Sequence, residues 1–562
     1  MKNVLLSLLA LSLSTGAFAQ GAFLPLDAQT YEMIDRYEIR RGKVSPTFHS
    51  GFKPYRRQDV AAFADTLFSE SGYKSQQDKF NLSYLQADSW EWVSETTGDS
   101  QRPFLKKFYR KQADFYHVQT EDFDLHVNPV LYLGMGESND LTSRAFINTR
   151  GVRLRGMIDE KIGFYSYLGE NQVRLPDYVQ RYEDSTGVVP GQWFWKPFSG
   201  DAYDYFTARG YVTFNASEHV AVQLGHDRNR VGNGYRSLIL SDFGPAYFFL
   251  KLQTKVWRLQ YTNLFTKMEA DVLLAGNGQP SGNVDFPDKY MAFHHLSLNI
   301  TDNLNIGVFE AVMLGAVDNT TEPDFEINYL NPIIFYRAIE QKGGSLGNAL
   351  LGMDMKWIVT SGLEVYGQLV FDEFLLENLT GNDGWWGNKY ALQGGLKYVD
   401  VLGIDNLDLQ VEYNTARPYM YTHQTIYTNY QHYNQPLAHP LGANFKETVG
   451  ILRYQPIPRL RFTGKLVMAT SGGDSDGNNW GSNILLDYNT RVSDFGNSTG
   501  QGTAQDLLFG DFKASYMLKH NLWLDLNLSY RDFDSEVDAV DLQTTFVQGA
   551  LRWNIGAQEF IF

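Results

Sequence analysis

From about Asp122 onward, apolar and polar side chains tend to alternate at every second position, and this period constrains the fold more than any other feature of the chain. The clearest stretch runs from Asn521 to Tyr530. Leu522, Leu524, Leu526, Leu528 and Tyr530 fall on one side, while Asp525, Asn527 and Ser529 fall on the other. The same pattern sets His294, Leu296, Leu298 and Ile300 against His295, Ser297 and Asn299. It also sets Leu460, Phe462, Gly464, Leu466 and Met468 against Arg461, Thr463 and Lys465. A face of leucines suits lipid and a face of Asp, Asn and Ser suits a lumen, which is the signature of a transmembrane β-barrel. A soluble sandwich shows such alternation strand by strand. Its recurrence to the end of the chain, with no domain linker, favours one large antiparallel barrel.

Candidate strands include 122–133, 146–157, 161–168, 203–214, 220–226, 247–260, 306–314, 348–358, 363–371, 390–399 and 512–516. They point to an even-numbered barrel of about 18 strands. Segments rich in Gly, Asn and Asp, at 276–285, 380–388 and 471–482, supply turns and long loops. The terminal Phe560-Ile561-Phe562 is expected to close the last strand, like the assembly signal of outer-membrane barrels.

The N-terminus supports export. Lys2 precedes an apolar run from Val4 to Leu13, and Ala17-Phe18-Ala19 offers small residues for cleavage, so residues 1–19 read as a signal peptide. With no Cys in the chain, neither a lipid anchor on cysteine nor a disulfide framework is available. Beyond the leader no apolar run reaches the ~20 residues of a membrane helix. An aromatic content of 15% together with polar average hydropathy fits strands that show lipid a single face. The formal charge of −16 opposes nonspecific nucleic-acid binding. Residues 20–115 differ in period: Tyr31, Ile34 and Tyr37, then Val60, Phe63, Ala64 and Leu67, then Phe80, Tyr84, Ala87 and Trp90 recur at helical spacing. This segment reads as a helical periplasmic cap or plug ahead of a barrel over 116–562.

Several segments carry a family resemblance: GHDRNRVGNGYRSLILSD at 225–242, NPIIFYRAIE at 331–340, GNALLGMD at 347–354, EYNTARPYMYTH at 412–423 and HYNQPLAHPLGANFKE at 432–447. Over nearly all of the mature chain the sequence resembles the Wzi-like capsule-assembly family of outer-membrane proteins. The likeness is strongest to its Bacteroidetes members, some of them associated with gliding motility. The resemblance implies a barrel of about 18 strands, a periplasmic helical portion, and a role in holding or organising surface polysaccharide. It implies binding rather than bond-making or bond-breaking. Arg337, Glu340, Arg417, His432, His439 and Glu447 lie in the matching segments and are expected inside the barrel or near its rim.

Sugar recognition needs flat apolar surfaces and fixed polar groups. Trp385 and Trp386 offer the first, and Tyr419, Tyr421 and Tyr433 beside Arg417 and His432 combine both, so these are the polysaccharide-binding candidates. Packing in the barrel's interfacial girdles is the competing role for these aromatics. Arg228, Arg230 and Arg236 either grip uronate or phosphate groups or, with Arg337, Glu340 and Glu447, brace the lumen. Asp474, Asp476 and Asn478 read as a calcium loop or as an ordinary Asx-rich turn. An EF-hand would need Glu where Leu485 stands. No HExxH, phosphate loop or GxSxG motif points to an enzyme. The expected partners are outer-membrane lipids and surface polysaccharide, with gliding, adhesion or secretion machinery as the alternative and a diffusion porin as a third reading.

Overall fold

The computed structural model describes residues 21–562 apart from 28, 71, 74, 95, 273–285, 317–326, 332–346, 373–382 and 476. The signal-peptide residues, Arg337, Glu340 and Asp476 therefore lie outside the described residues, as does much of the loops expected at 276–285 and 380–388.

Eighteen strands form a closed antiparallel barrel in which each pairs with its neighbours in the chain. They are β1 (Phe123–Ser138), β2 (Ala145–Ile158), β3 (Ile162–Arg174), β4 (Ala202–Asn215), β5 (Val220–Asp227), β6 (Tyr247–Val256), β7 (Leu259–Glu269), β8 (Asp288–Asn299) and β9 (Leu304–Gly315). The circuit continues through β10 (Asn348–Thr360), β11 (Leu363–Phe371), β12 (Tyr390–Tyr398), β13 (Leu407–Ala416), β14 (Phe445–Ile457), β15 (Leu460–Gly473), β16 (Thr503–Lys519), β17 (Leu522–Ser535) and β18 (Leu542–Trp553). The ring closes where Trp553 to Phe546 of β18 lie opposite Leu131 to Ser138 of β1. Short strands at Tyr116–Gln119 and Trp195–Phe198 pair onto β1 and β4.

Alternation places the faces as the sequence predicts. Leu524, Leu526 and Leu528 are exposed on the outer surface, while Asp525 and Ser529 are buried inward. The last strand is a correction: β18 stops at Trp553, and the terminal aromatic segment leaves the wall for the lumen. There the Phe560 carbonyl accepts from Tyr178 at 2.7 Å, and Glu559 pairs with Lys513 at 2.5 Å and with Lys465. Ile561 packs on Val449, Ile451, Val467 and Phe509. These apolar side chains point inward because they have an apolar partner inside.

Tight turns such as Asp159–Lys161 and His520–Asn521 lie at one end of the barrel, and the long loops lie at the other. In barrels of this class the short turns face the periplasm. Three helices sit at that end: α1 (Thr30–Arg41), α2 (Arg57–Ser69) and α3 (Gln76–Asp88). Gly42, at φ 73°, ends α1 in the left-handed conformation, and Ser75 caps α3 by accepting from the Asp78 N–H. Their apolar stripes merge, with Ile34, Tyr37, Val60, Phe63, Leu67, Leu82 and Leu85 forming one buried cluster. Polar contacts tie them to the wall. Arg36 pairs with Asp400 at 2.5 Å and with Asp408, Asn81 bonds Gln455 at 2.8 Å, and Lys356 of β10 meets Glu38 of α1 at 2.6 Å.

The upper lumen is filled from the other end. The excursion 228–246 between β5 and β6 and the loop 417–444 between β13 and β14 fold inward. Leu238, Ile239, Leu240, Tyr421, Tyr430 and Leu437 pack there against Leu264, Met291, Phe293 and Phe309 of the wall. The inward faces are therefore not all of the Asp, Asn and Ser type that marks β17. Part of the inner wall is apolar because it is the floor of a packed core, and among the described residues this core occupies the upper lumen.

Candidate functional site

At the long-loop end, the segment after β11 and the segment after β15 zip together. Trp386 N–H donates to the Asp494 carbonyl at 2.9 Å, Gly496 N–H to Asp383 at 2.8 Å, and Asn497 N–H to Gly384 at 2.9 Å. Gly384 has φ +66°, and a Cβ there would stand 2.7 Å from the Asn497 nitrogen, so this crossing requires glycine. The clamp holds Trp386 between Tyr488, at 4.7 Å between ring centroids, and the Arg491 guanidinium, 4.2 Å above its ring. Trp385 lies 5.9 Å from Trp386 at an interplanar angle of 55°. Both indoles are partly exposed, and Phe495 beside them is 56% exposed. These rings stand on loops above the strands and not in the barrel wall. Arg417 lies beneath the clamp and joins its halves by donating to Asn388 O at 3.3 Å and Asn497 O at 3.1 Å.

The other aromatic candidates lie deeper. Tyr419 is buried and donates to Asn479 O at 2.9 Å, and Tyr421 donates to Leu238 O at 2.8 Å while stacking with Tyr430. Tyr433 is buried against Trp193. His432 is fully enclosed: its Nδ1 accepts from Glu269 N–H at 3.1 Å, which leaves Nε2 to donate to Ala246 O at 3.1 Å. Tyr419, Tyr421 and His432, with their polar atoms engaged in this way, and the packed Tyr433 ring position the loop 417–444.

Burial pushes the His432 imidazole down to about 3. Its folded value lies below the ordinary ~6.5. The stability contributed by the neutral ring is therefore complete above that value and is lost as pH falls from about 6.5 towards the folded value. Limited proteolysis of the loop 417–444 is expected to be markedly faster at pH 4 than at pH 7, with the difference reduced in His432→Gln. Equal protection at both pH values would show that the ring does not hold the loop.

The luminal candidates form a different group. Arg236 grips Glu447 from Nη2 at 2.8 Å and Nε at 3.1 Å, and Glu447 also accepts from His439 at 2.8 Å and Asn414 at 3.0 Å. Glu412 accepts the N–H groups of Tyr235 and Arg236 at 2.6 and 2.9 Å. The excursion 228–246 is thereby fastened to β13 and β14. Arg228 and Arg230 instead bind backbone carbonyls, of Asp242 at 2.7 Å and of Gly234 and Tyr235 at 2.6 and 2.7 Å. In the calcium candidate, the Asp474 carboxylate accepts from Trp480 N–H at 2.6 Å and Asn483 N–H at 3.1 Å, so backbone donors of its own loop occupy both oxygens. Among the described residues no cluster of three His, Asp or Glu side chains has metal-site geometry. Tyr488, Arg491 and Phe495 escaped the sequence reading because they lie in a loop with no period to mark them.

The profile of the family described as capsule assembly protein Wzi matches residues 146–545. The chain belongs to the Wzi capsule-assembly family. Among solved structures it is similar to Wzi of Escherichia coli, described as an outer-membrane protein involved in group 1 capsule assembly and a carbohydrate-binding β-barrel. That likeness has a TM-score of 0.56 and 13% identity and covers 97% of this chain and 100% of that one. OprD of Pseudomonas aeruginosa is a more distant likeness, with a TM-score of 0.43 and 11% identity over 76% of this chain and 94% of that one. No curated protein sequence matches the chain. Family and barrel together place it in the outer membrane of a Gram-negative bacterium.

Proposed function

We propose that the chain binds and organises surface polysaccharide at its outer rim, without bond chemistry. The observation that carries this reading is the Trp385–Trp386 pair, partly exposed, clamped between two loops and overlaid by Arg491. Flat rings take the apolar faces of sugars, and a guanidinium beside them takes hydroxyl or carboxylate oxygens. The carbohydrate binding described for the Escherichia coli relative supports it. The test is binding of surface polysaccharide from the same cells to the purified full-length barrel. Each ring contact is worth roughly 0.5–1.5 kcal/mol, so Trp385→Ala/Trp386→Ala is expected to weaken binding about tenfold or more. A folded barrel that binds no glycan would defeat this reading in favour of protein partners in gliding, adhesion or secretion machinery, the alternative suggested by the likeness to Bacteroidetes members. Loss of cell spreading with an intact capsule after gene deletion is the phenotype expected of that alternative.

A further inference from the structure

A second polar surface lies inside the barrel, remote from the rim residues. A cavity of about 510 Å³ runs between the plug and the inserted excursion, within the size range of small-ligand sites, roughly 300–1,000 Å³. It reaches the wall at a break in the strand pairing. The β5 partners of β4 extend only to His226, opposite Gly210, and the short strand Trp195–Phe198 pairs only with Ala202 to Tyr205. The edge of β4 from Phe206 to Arg209 therefore has no strand beside it and lines the cavity. Phe206, 59% exposed, and Ala208 point outward there, so the cavity meets the outer face of the barrel at this notch.

Arg209, Arg228 and Arg230 converge on this end of the cavity. Their counter-charges are loose: Arg209 stands 3.8 Å from Asp227 and Arg230 stands 3.7 Å from Asp242. Among the described residues Arg228 has no carboxylate within ion-pair distance, and its side-chain bond goes to a backbone carbonyl. The Nε–H groups of Arg209 and Arg230 are buried without an acceptor, and the Arg209 side chain is only 9% exposed. Buried guanidinium donors without acceptors are uncommon, because desolvation is not repaid. Burial and the neighbouring Arg209 lower the Arg228 value, and the more distant carboxylates of Asp242, Asp227 and Asp27 do not fully offset them. Beside these cations the cavity presents the indole of Trp193 and the amide of Gln192, which suit a sugar ring and its hydroxyls.

We infer that this wall notch and luminal cavity form a second glycan site, which takes the carboxylate of a uronic acid residue on Arg209, Arg228 and Arg230. It is separate from the rim clamp and does not depend on it. The experiment is calorimetric titration of the full chain in detergent with trigalacturonate, maltotriose and inorganic phosphate, in the Trp385→Ala/Trp386→Ala background so that rim binding does not contribute. Saturable trigalacturonate binding is expected, with maltotriose at least tenfold weaker. Arg228→Gln removes the cation least engaged by acid, and Thr207→Trp fills the notch without changing charge. Each is expected to weaken trigalacturonate binding at least tenfold while the barrel keeps its heat-modifiable migration in gels. Equal binding of the neutral and acidic trisaccharides, or unchanged binding in both folded variants, overturns the inference. Binding of phosphate alone also overturns it, because the arginines would then serve a simple anion and not a sugar acid.

Discussion

Replacing Glu447 with leucine is expected to destabilise the folded barrel by about 3–5 kcal/mol, the usual cost of leaving one member of a buried ion pair uncompensated. Glu447 is 1% exposed and serves three donors at once, from Arg236, His439 and Asn414. Arg236 has few other acceptors; it also donates to the Ile561 carbonyl of the inserted tail at 3.0 Å. The substitution would therefore strand a guanidinium where the excursion 228–246, β14 and the C-terminal tail meet. Urea titration followed by heat-modifiable gel migration measures the loss. The double variant Arg236→Leu/Glu447→Leu is expected to recover a substantial part, since removing both charges abolishes the stranded one. A single substitution costing under ~1 kcal/mol would mean that water reaches the pair and that it does not brace the inserted excursion.

This network also shows what the sequence made legible. The fold was readable because lipid imposes one rule along every strand: outward residues are apolar whatever lies within. Strands such as β17, whose inner face carries Asp525, Asn527 and Ser529, announce themselves. The strand expected at 247–260 takes in β6 but only the first two residues of β7, because along β7 inward Leu264 and Met268 stand beside apolar Phe265 on the other face and erase the alternation. Their inward apolar faces answer to loops far away in sequence, and period alone cannot register a partner inside the barrel. The terminal aromatics misled for the same reason: Phe560, Ile561 and Phe562 serve the luminal core and not a lipid-facing strand. At the site, the Trp385-Trp386 pair and the Arg236–Glu447 connection were legible as residue types. The exchange of inner and outer roles was not, since Tyr419, Tyr421, His432 and Tyr433 look like sugar-binding residues in composition and prove to be packed within the loop core.

Leu526→Arg and Asn527→Lys, neighbours on β17, are expected to part sharply in stability. Leu526 is 57% exposed on the outer face, midway along a strand that crosses the membrane. A cation there faces hydrocarbon, at a cost of about 2–4 kcal/mol near the bilayer midplane. Asn527 faces the lumen, where its amide donates to Asp511 at 2.6 Å. A lysine there gains a carboxylate within reach and is expected to change stability by less than ~1 kcal/mol. Urea titration of both variants reconstituted in lipid bilayers provides the comparison. Similar losses would mean that one face of β17 is not in lipid, whereas the predicted gap would make a single residue step the boundary between hydrocarbon and the plugged, hydrogen-bonded interior.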